Sequence, residues 1–290
     1  MNKTLTTLLL ALTAMLAVSC SDDDTPDVPR ITDIKFTAQM PSLNTDLYAP
    51  QWRVLEGMRF FSSDGPDTQA YYMHRSDAPV KVAEFRYDRG GDIALWDKFA
   101  AFHGYGYGTL DNFEAKVNSS QKFIPGSTDA EEDMLISPVY NAGDIDFSQP
   151  VNIELRRLSA VLNLNVADMT SEGILKGDTL IAVKLDTKNN ETNFAGSLII
   201  NFYDGTVSRA AASTYKEAVA ANDGIAFGDD DKKLLLSILP VNLAPGDKIE
   251  VTIKTKAGRT ARKTMVLDGG LKIGEGMCGM LKVEFTDEDF

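Results

Sequence analysis

Only two of the 290 residues are cysteine and only two are histidine. Cys20 closes an apolar leader and Cys278 lies near the other end; once Cys20 carries lipid, no intramolecular disulfide can form. The folded body must therefore hold together by packed apolar cores. So few His and Cys also leave nothing for a His/Cys metal site, and no metal or other cofactor is expected. Positive charge is short as well: 29 Lys and Arg face 42 Asp and Glu, a net charge of −13. That balance excludes nucleic acid and anionic lipid surfaces as partners. Long apolar runs are missing. The longest, Leu5 to Val18, is broken by Thr and falls short of the roughly 20 residues of a membrane span.

That short run has another use. Lys3 supplies a positive start, and Ala17, Val18 and Ser19 are small residues leading into Cys20, the layout of a secretory signal with its cleavage site. Leu16-Ala17-Val18-Ser19-Cys20 resembles a bacterial lipobox, in which the cysteine thiol receives the lipid. Residues 1–19 thus read as a lipoprotein signal peptide and Cys20 as the lipidation site. Residues 20–30 follow as an acidic tether, Ser21-Asp22-Asp23-Asp24 running on to Pro29, too polar to bury itself. An acidic run at this place resembles an export signal to the outer face of the outer membrane.

Beyond the tether the periodicity is that of strands. Ile249, Val251 and Ile253 alternate with Glu250, Thr252 and Lys254, and Leu281, Val283 and Phe285 alternate with Lys282 and Glu284. Leu198, Ile200 and Phe202 repeat the pattern before the turn Asp204-Gly205. Short strands separated by Gly, Asp, Asn and Pro indicate an all-β protein built of antiparallel β-sandwiches. Length allows two domains, and the polar stretch Asp168–Gly177 suggests a boundary, giving 31–170 and 171–290. Between Val151 and Val166 the apolar phase switches from odd to even positions around Arg156-Arg157. A one-residue slip would turn every side chain to the wrong face, so a bulge or a crossing between sheets or domains is expected there. Ser208 to Ala221, rich in Ala, reads equally as a helix or a loop.

No catalytic constellation stands out. His74 and His103 sit in no motif, and Asp229-Asp230-Asp231 lacks the spaced ligands of a calcium loop. Gly90-Gly91, Gly269-Gly270 and Gly274-x-Gly276 lack the strand–loop–helix setting of a phosphate cradle and read as hairpin turns. Trp52, Trp96 and Phe102 suit a core, whereas Tyr105 and Tyr107, alternating with glycines, suit a core or a sugar-stacking surface.

Several landmarks occur in a telling order: the lipobox; Ile31-Thr32-Asp33-Ile34-Lys35-Phe36; Trp52 with Met58-Arg59-Phe60-Phe61; Trp96 with Phe99 and Phe102-His103-Gly104-Tyr105. Asp133-Met134-Leu135, then Val151 to Val161 with Arg156-Arg157, and finally Leu239-Pro240 complete the series. The series resembles the fimbrillin family, the major and minor subunits of type V pili of Gram-negative anaerobes. It departs at Phe102–Tyr105, where Tyr-Pro-Tyr is more usual, and at Arg156-Arg157, where His is frequent. The resemblance implies two tandem transthyretin-like β-sandwich domains, no enzymatic activity, and an outer-membrane or pilus location. It implies other pilin subunits as partners, joined by donor-strand exchange after a protease cuts behind an arginine, with a host or bacterial surface as adhesion ligand. Arg53 and Arg30 are the candidate cut sites. A cut at Arg53 would release Ile31–Phe36, and a cut at Arg30 only the tether. The competing reading is a glycan-binding surface lipoprotein of a nutrient-uptake system, which would share leader, tether and sandwich.

Overall fold

Nearly every ordered element of the chain is a strand, joined by turns and four short 3-10 segments, in a computed structural model that describes residues 30–45, 48–65, 68–187, 193–213, 215–220, 224–227 and 234–290. The signal peptide, Cys20, most of the tether and Asp229–Asp231 lie outside the described residues. The all-β sandwich architecture expected from the period-two pattern is what the structure shows. Among the described residues, no helix is long and apolar enough to cross a membrane.

The largest sheet has nine strands. Its main path runs Val151–Ile153, Lys35–Gln39, Val82–Gly90, Gln69–His74, Gly57–Ser62, Lys98–His103, Leu135–Ile136, Arg156–Arg157, with Tyr140–Asn141 also on Lys98–His103. Successive side chains of a strand point to opposite faces, and here both faces are covered. Phe60, Phe99 and Ala101 enter a core with Phe36, Tyr72, Phe85, Trp52 and Trp96. Their neighbours Phe61, Ala100 and Phe102 enter another, shared with the four-stranded sheet Val207–Ser213, Ala195–Ile200, Phe113–Val117, Tyr105–Gly108. Burial on two sides is why Lys98–His103 reads Phe-Ala-Ala-Phe and does not alternate.

A second sandwich lies between a three-stranded and a six-stranded sheet. The first is Leu234–Ile238, Ala160–Asp168, Cys278–Phe285; the other runs Thr260–Val266, Lys248–Thr255, Thr179–Asp186, Tyr215–Ala220, Ser120–Phe123, with Ile225–Ala226 also on Thr179–Asp186. Leu162, Leu164, Leu236, Val283 and Phe285 meet Val183, Leu185, Ile249, Val251 and Ile253 across its core. The alternating residues of the sequence are thus its inward faces. Ile31–Phe290 packs as one compact unit. Ala160–Asp168, just before the expected division at residue 170, is paired on both edges by strands from beyond residue 230.

Three local expectations meet the structure differently. The phase switch at Arg156-Arg157 is a crossing: Val151–Ile153 belongs to the nine-stranded sheet and Ala160–Asp168 to the three-stranded one. Ser208–Ala221, read as helix or loop, contains neither as its main element; it holds the strands Val207–Ser213 and Tyr215–Ala220. Alanine favours a helix only weakly, and here two waiting strand edges, Ala195–Ile200 and Thr179–Asp186, outweigh it. The glycine pairs do turn the chain, but not into hairpins: Leu271–Ile273, between the last two, pairs with Val241–Leu243, and Cys278–Phe285 pairs with Ala160–Asp168.

Two predictions follow from this packing. Phe60 is fully buried with Phe36, Tyr72 and Phe99 around its ring, so Phe60→Ala should lower unfolding free energy by about 3–5 kcal/mol in urea titration. Asp178 is a buried carboxylate whose burial opposes ionisation, but the Thr255 hydroxyl, the Thr179 and Ala257 amides and Arg259 outweigh this and hold its pKa near about 2. Its contribution to stability is present above the ordinary Asp value of about 3.9 and is lost as pH falls towards about 2. Asp178→Asn should flatten that part of the acid-unfolding curve.

Candidate functional site: the seat of the N-terminal strand

Lys35–Gln39 is inserted between two strands. It runs parallel to Val151–Ile153, with Phe36 opposite Val151, and antiparallel to Val82–Gly90, with Phe36 opposite Phe85. Its alternate residues Phe36 and Ala38, continued by Ile34 before and Met40 after, are buried. The Phe36 ring stacks on Phe60 at 4.3 Å and meets Tyr72 edge-on at 4.7 Å. Trp52 returns to the same strand, its indole Nε1 donating to the Ala38 carbonyl at 3.0 Å while its ring lies against Phe85 and His103. This strand therefore supplies the centre of the first core.

The chain after the strand is pinned along the second sandwich. The Arg157 guanidinium donates to the Pro41 carbonyl at 3.2 Å and is paired with Asp133, both side chains almost fully buried. Asp133 also accepts from the Ser159 hydroxyl at 2.9 Å, and that hydroxyl accepts from the Met134 amide. Leu43 packs on Val161 and Leu235, and the Asn44 side chain accepts from the Cys278 amide at 2.6 Å. Tyr48 reaches the hydroxyls of Ser127 and Thr128. Two landmarks of the sequence, Asp133 and Arg157, are thus one buried ion pair, and what it clamps is the N-terminal segment. The sequence offered one signal for it, an arginine placed where the apolar phase switches.

The candidate cut sites differ. Arg30 is exposed at the edge of the described residues. The Arg53 side chain is largely covered, donating to Ser127 and to the Thr128 carbonyl and lying 3.7 Å from Glu56. The peptide bond after it opens an outward turn: Val54 and Leu55 are exposed, and Leu55 sits at φ 64°, a region L-residues rarely adopt. Arg53 thus joins a buried anchor to an exposed, strained turn.

His74 and His103 are both buried in the ring cluster around Trp52 and Phe85, each donating through Nδ1 to a carbonyl, that of Glu84 and that of Gly57. Among the described residues, no cluster of His, Cys, Asp and Glu could hold a metal ion. Trp52, Trp96 and Phe102 are core residues, as expected. Tyr105 and Tyr107 project outward from the edge strand Tyr105–Gly108. Gly106 between them faces inward, where a Cβ would stand 2.5 Å from the Phe113 ring, so only glycine lets this edge lie down on the core.

No protein-family model matches the chain, and no curated protein is similar to it in sequence. Solved structures are similar in fold. A candidate cell adhesion protein of Bacteroides ovatus superposes with a TM-score of 0.52 at 14% identity, over 88% of this chain and 92% of that one. Another from Bacteroides uniformis gives 0.50 at 14% identity, over 88% and 93%. At this identity the likeness establishes the fold, and it is in keeping with the fimbrillin resemblance of the sequence.

Breaking the clamp from one side strands a charge. Asp133→Ala should cost about 3–5 kcal/mol, because Arg157 stays buried without its partner. The double substitution Asp133→Ala with Arg157→Met should cost clearly less than the sum of the singles in a double-mutant cycle followed by urea unfolding.

Proposed function

We propose that this protein is a structural subunit or adhesin of a type V pilus, exported as a lipoprotein through Cys20, displayed at the outer membrane and joined to its neighbours by strand exchange. The observation that carries the reading is the seat just described. A short terminal strand, parallel to one neighbour and antiparallel to the other, fills the heart of a core with alternating apolar residues. Removing it would leave two unsatisfied strand edges and empty pockets for Phe36 and Ala38. An incoming strand of another subunit would be held there by main-chain hydrogen bonds and selected by its alternate side chains. The fold shared with the two Bacteroides proteins, described as candidates for cell adhesion, and the fimbrillin landmarks of the sequence support the same role. Non-enzymatic function accords with both.

In this reading Arg53 is the processing site that matters. A cut there severs Phe36, Ala38 and Trp52 from the rest of the chain, while a cut at Arg30 removes only lipid and tether. The contacts of Arg53 with Thr128 and Glu56 would have to yield first, which makes cleavage slow until the turn opens.

Limited digestion with a trypsin-like protease should yield SDS-resistant multimers of the purified protein. Arg53→Ala should abolish the ladder and Arg30→Ala should leave it intact. A protein trimmed after Arg53 that stays monomeric would remove the polymerising role. The second reading, a glycan-binding surface lipoprotein, has Tyr105 and Tyr107 in its favour, both exposed on one edge strand. Retardation on a polysaccharide affinity gel, lost in the Tyr105→Ala, Tyr107→Ala double variant, would favour it.

A further inference from the structure

Lys216 is the most buried charged residue of the described chain, with none of its surface exposed. It lies on Tyr215–Ala220, which pairs in parallel with Ser120–Phe123, Glu217 opposite Ser120, while the Glu217 amide donates to the Ser119 carbonyl. That register brings Lys216 beside Asn118. Its Nζ donates to the Asn118 main-chain carbonyl at 2.5 Å and to Glu132 Oε2 at 3.1 Å. The other carboxylate oxygen, Glu132 Oε1, accepts from the Asn118 side-chain Nδ2 at 2.7 Å, and Oε2 accepts from the Asn118 amide at 2.7 Å. Glu132 is itself buried, held at the end of the 3-10 turn Ala130–Glu132 that Asp129 caps. One buried carboxylate therefore holds an amine on one oxygen and a carboxamide on the other.

We propose that Lys216 and Asn118 join in an intramolecular isopeptide bond, with Glu132 as the proton carrier. Lys216 Nζ passes a proton to Glu132 and attacks Asn118 Cγ as a neutral amine. A proton moves from the attacking nitrogen to Nδ2 by way of the carboxylate. The Cγ–Nδ2 bond then breaks, the Cγ–Nζ amide remains, and ammonia leaves, taking the proton held by Glu132 to depart as ammonium. A primary amide and an amine become a secondary amide and ammonium, nothing is oxidised or reduced, and Glu132 ends as it began. Burial and placement favour this over a permanent ion pair. Burial opposes the charged amine and lowers the pKa of Lys216, which favours the nucleophilic form. Nucleophile and carboxamide are both held by the Glu132 carboxylate, which keeps each beside the proton carrier.

The linkage would span 98 positions of sequence, tying the segment before Ser120–Phe123 to the heart of the six-stranded sheet. It does not depend on the pilus reading.

Intact-mass measurement of the purified full chain should show a species lighter by one ammonia than the sequence requires. Tryptic mapping should join Val117–Lys122 to the stretch following Arg209, with no cleavage behind Lys216. Glu132→Gln should restore the full sequence mass and return both peptides unlinked, and boiled in SDS it should migrate more slowly than the cross-linked protein. Wild-type protein at the full sequence mass would overturn the proposal. So would ammonia loss without a linked peptide, which marks cyclisation at Asn118 alone. A bond that persists in Glu132→Gln would overturn the role given to Glu132. Should that variant fold poorly, the peptide map of the wild-type protein decides by itself.

Discussion

The strand Lys98–His103 has no solvent face, and the rest of the molecule is arranged around that constraint. A strand buried on one side needs one partner layer; this one needs two, and both must be apolar enough to cover phenylalanines. Phe99 faces a core centred on Phe36 and Tyr72, while Phe102 faces one that includes Phe113, Leu198 and Ile200. Because that second core draws its residues from both halves of the sequence, the halves cannot be packed independently. The N-terminal strand, which fills the first core, is thereby coupled through one sheet to residues more than 150 positions away.

Polar interiors mark the places where the halves are stitched. Asp133 with Arg157 and Glu132 with Lys216 sit one residue apart on the same short turn, yet they reach in different directions. The first pair holds the segment after Lys35–Gln39; the second holds Asn118 against Tyr215–Ala220. Buried ion pairs add little net stability when compared with apolar replacements, but they are unforgiving of a misplaced partner. Their effect here is to specify which strand lies beside which.

Much of the fold was legible in the sequence because it is local. Alternation at Ile249–Ile253 and Leu281–Phe285 announces strands with one buried face, and the phase switch near Arg156-Arg157 announces a bulge or a crossing, of which the structure has the crossing. The Ala-rich stretch after Ser208 was not legible, since strand pairing depends on what edge is available far away, and alanine declares no preference strong enough to resist it. The entry of Ser120–Phe123 and Phe113–Val117 into sheets of the C-terminal half escaped notice for the same reason. At the candidate site, Arg53 and the opening strand came to attention only through the family resemblance, and the core roles of Trp52 and Phe102 through residue type. The ion pairs could not: Glu132 and Lys216 are 84 positions apart, and nothing in either neighbourhood names the other.

The parallel pairing of Cys278–Phe285 with Ala160–Asp168 bears on how the chain becomes a protein at all. A strand at the far end of the sequence completes a sheet begun in the middle, and strands from the middle complete sheets begun later. Contact order is therefore high, and ordering must wait for most of the chain to be present. A polypeptide of this kind stays open while it is being made. Under the export proposed for this chain, that delay would be useful: a slow topology would keep it threadable during passage and defer closure to the far side of the membrane.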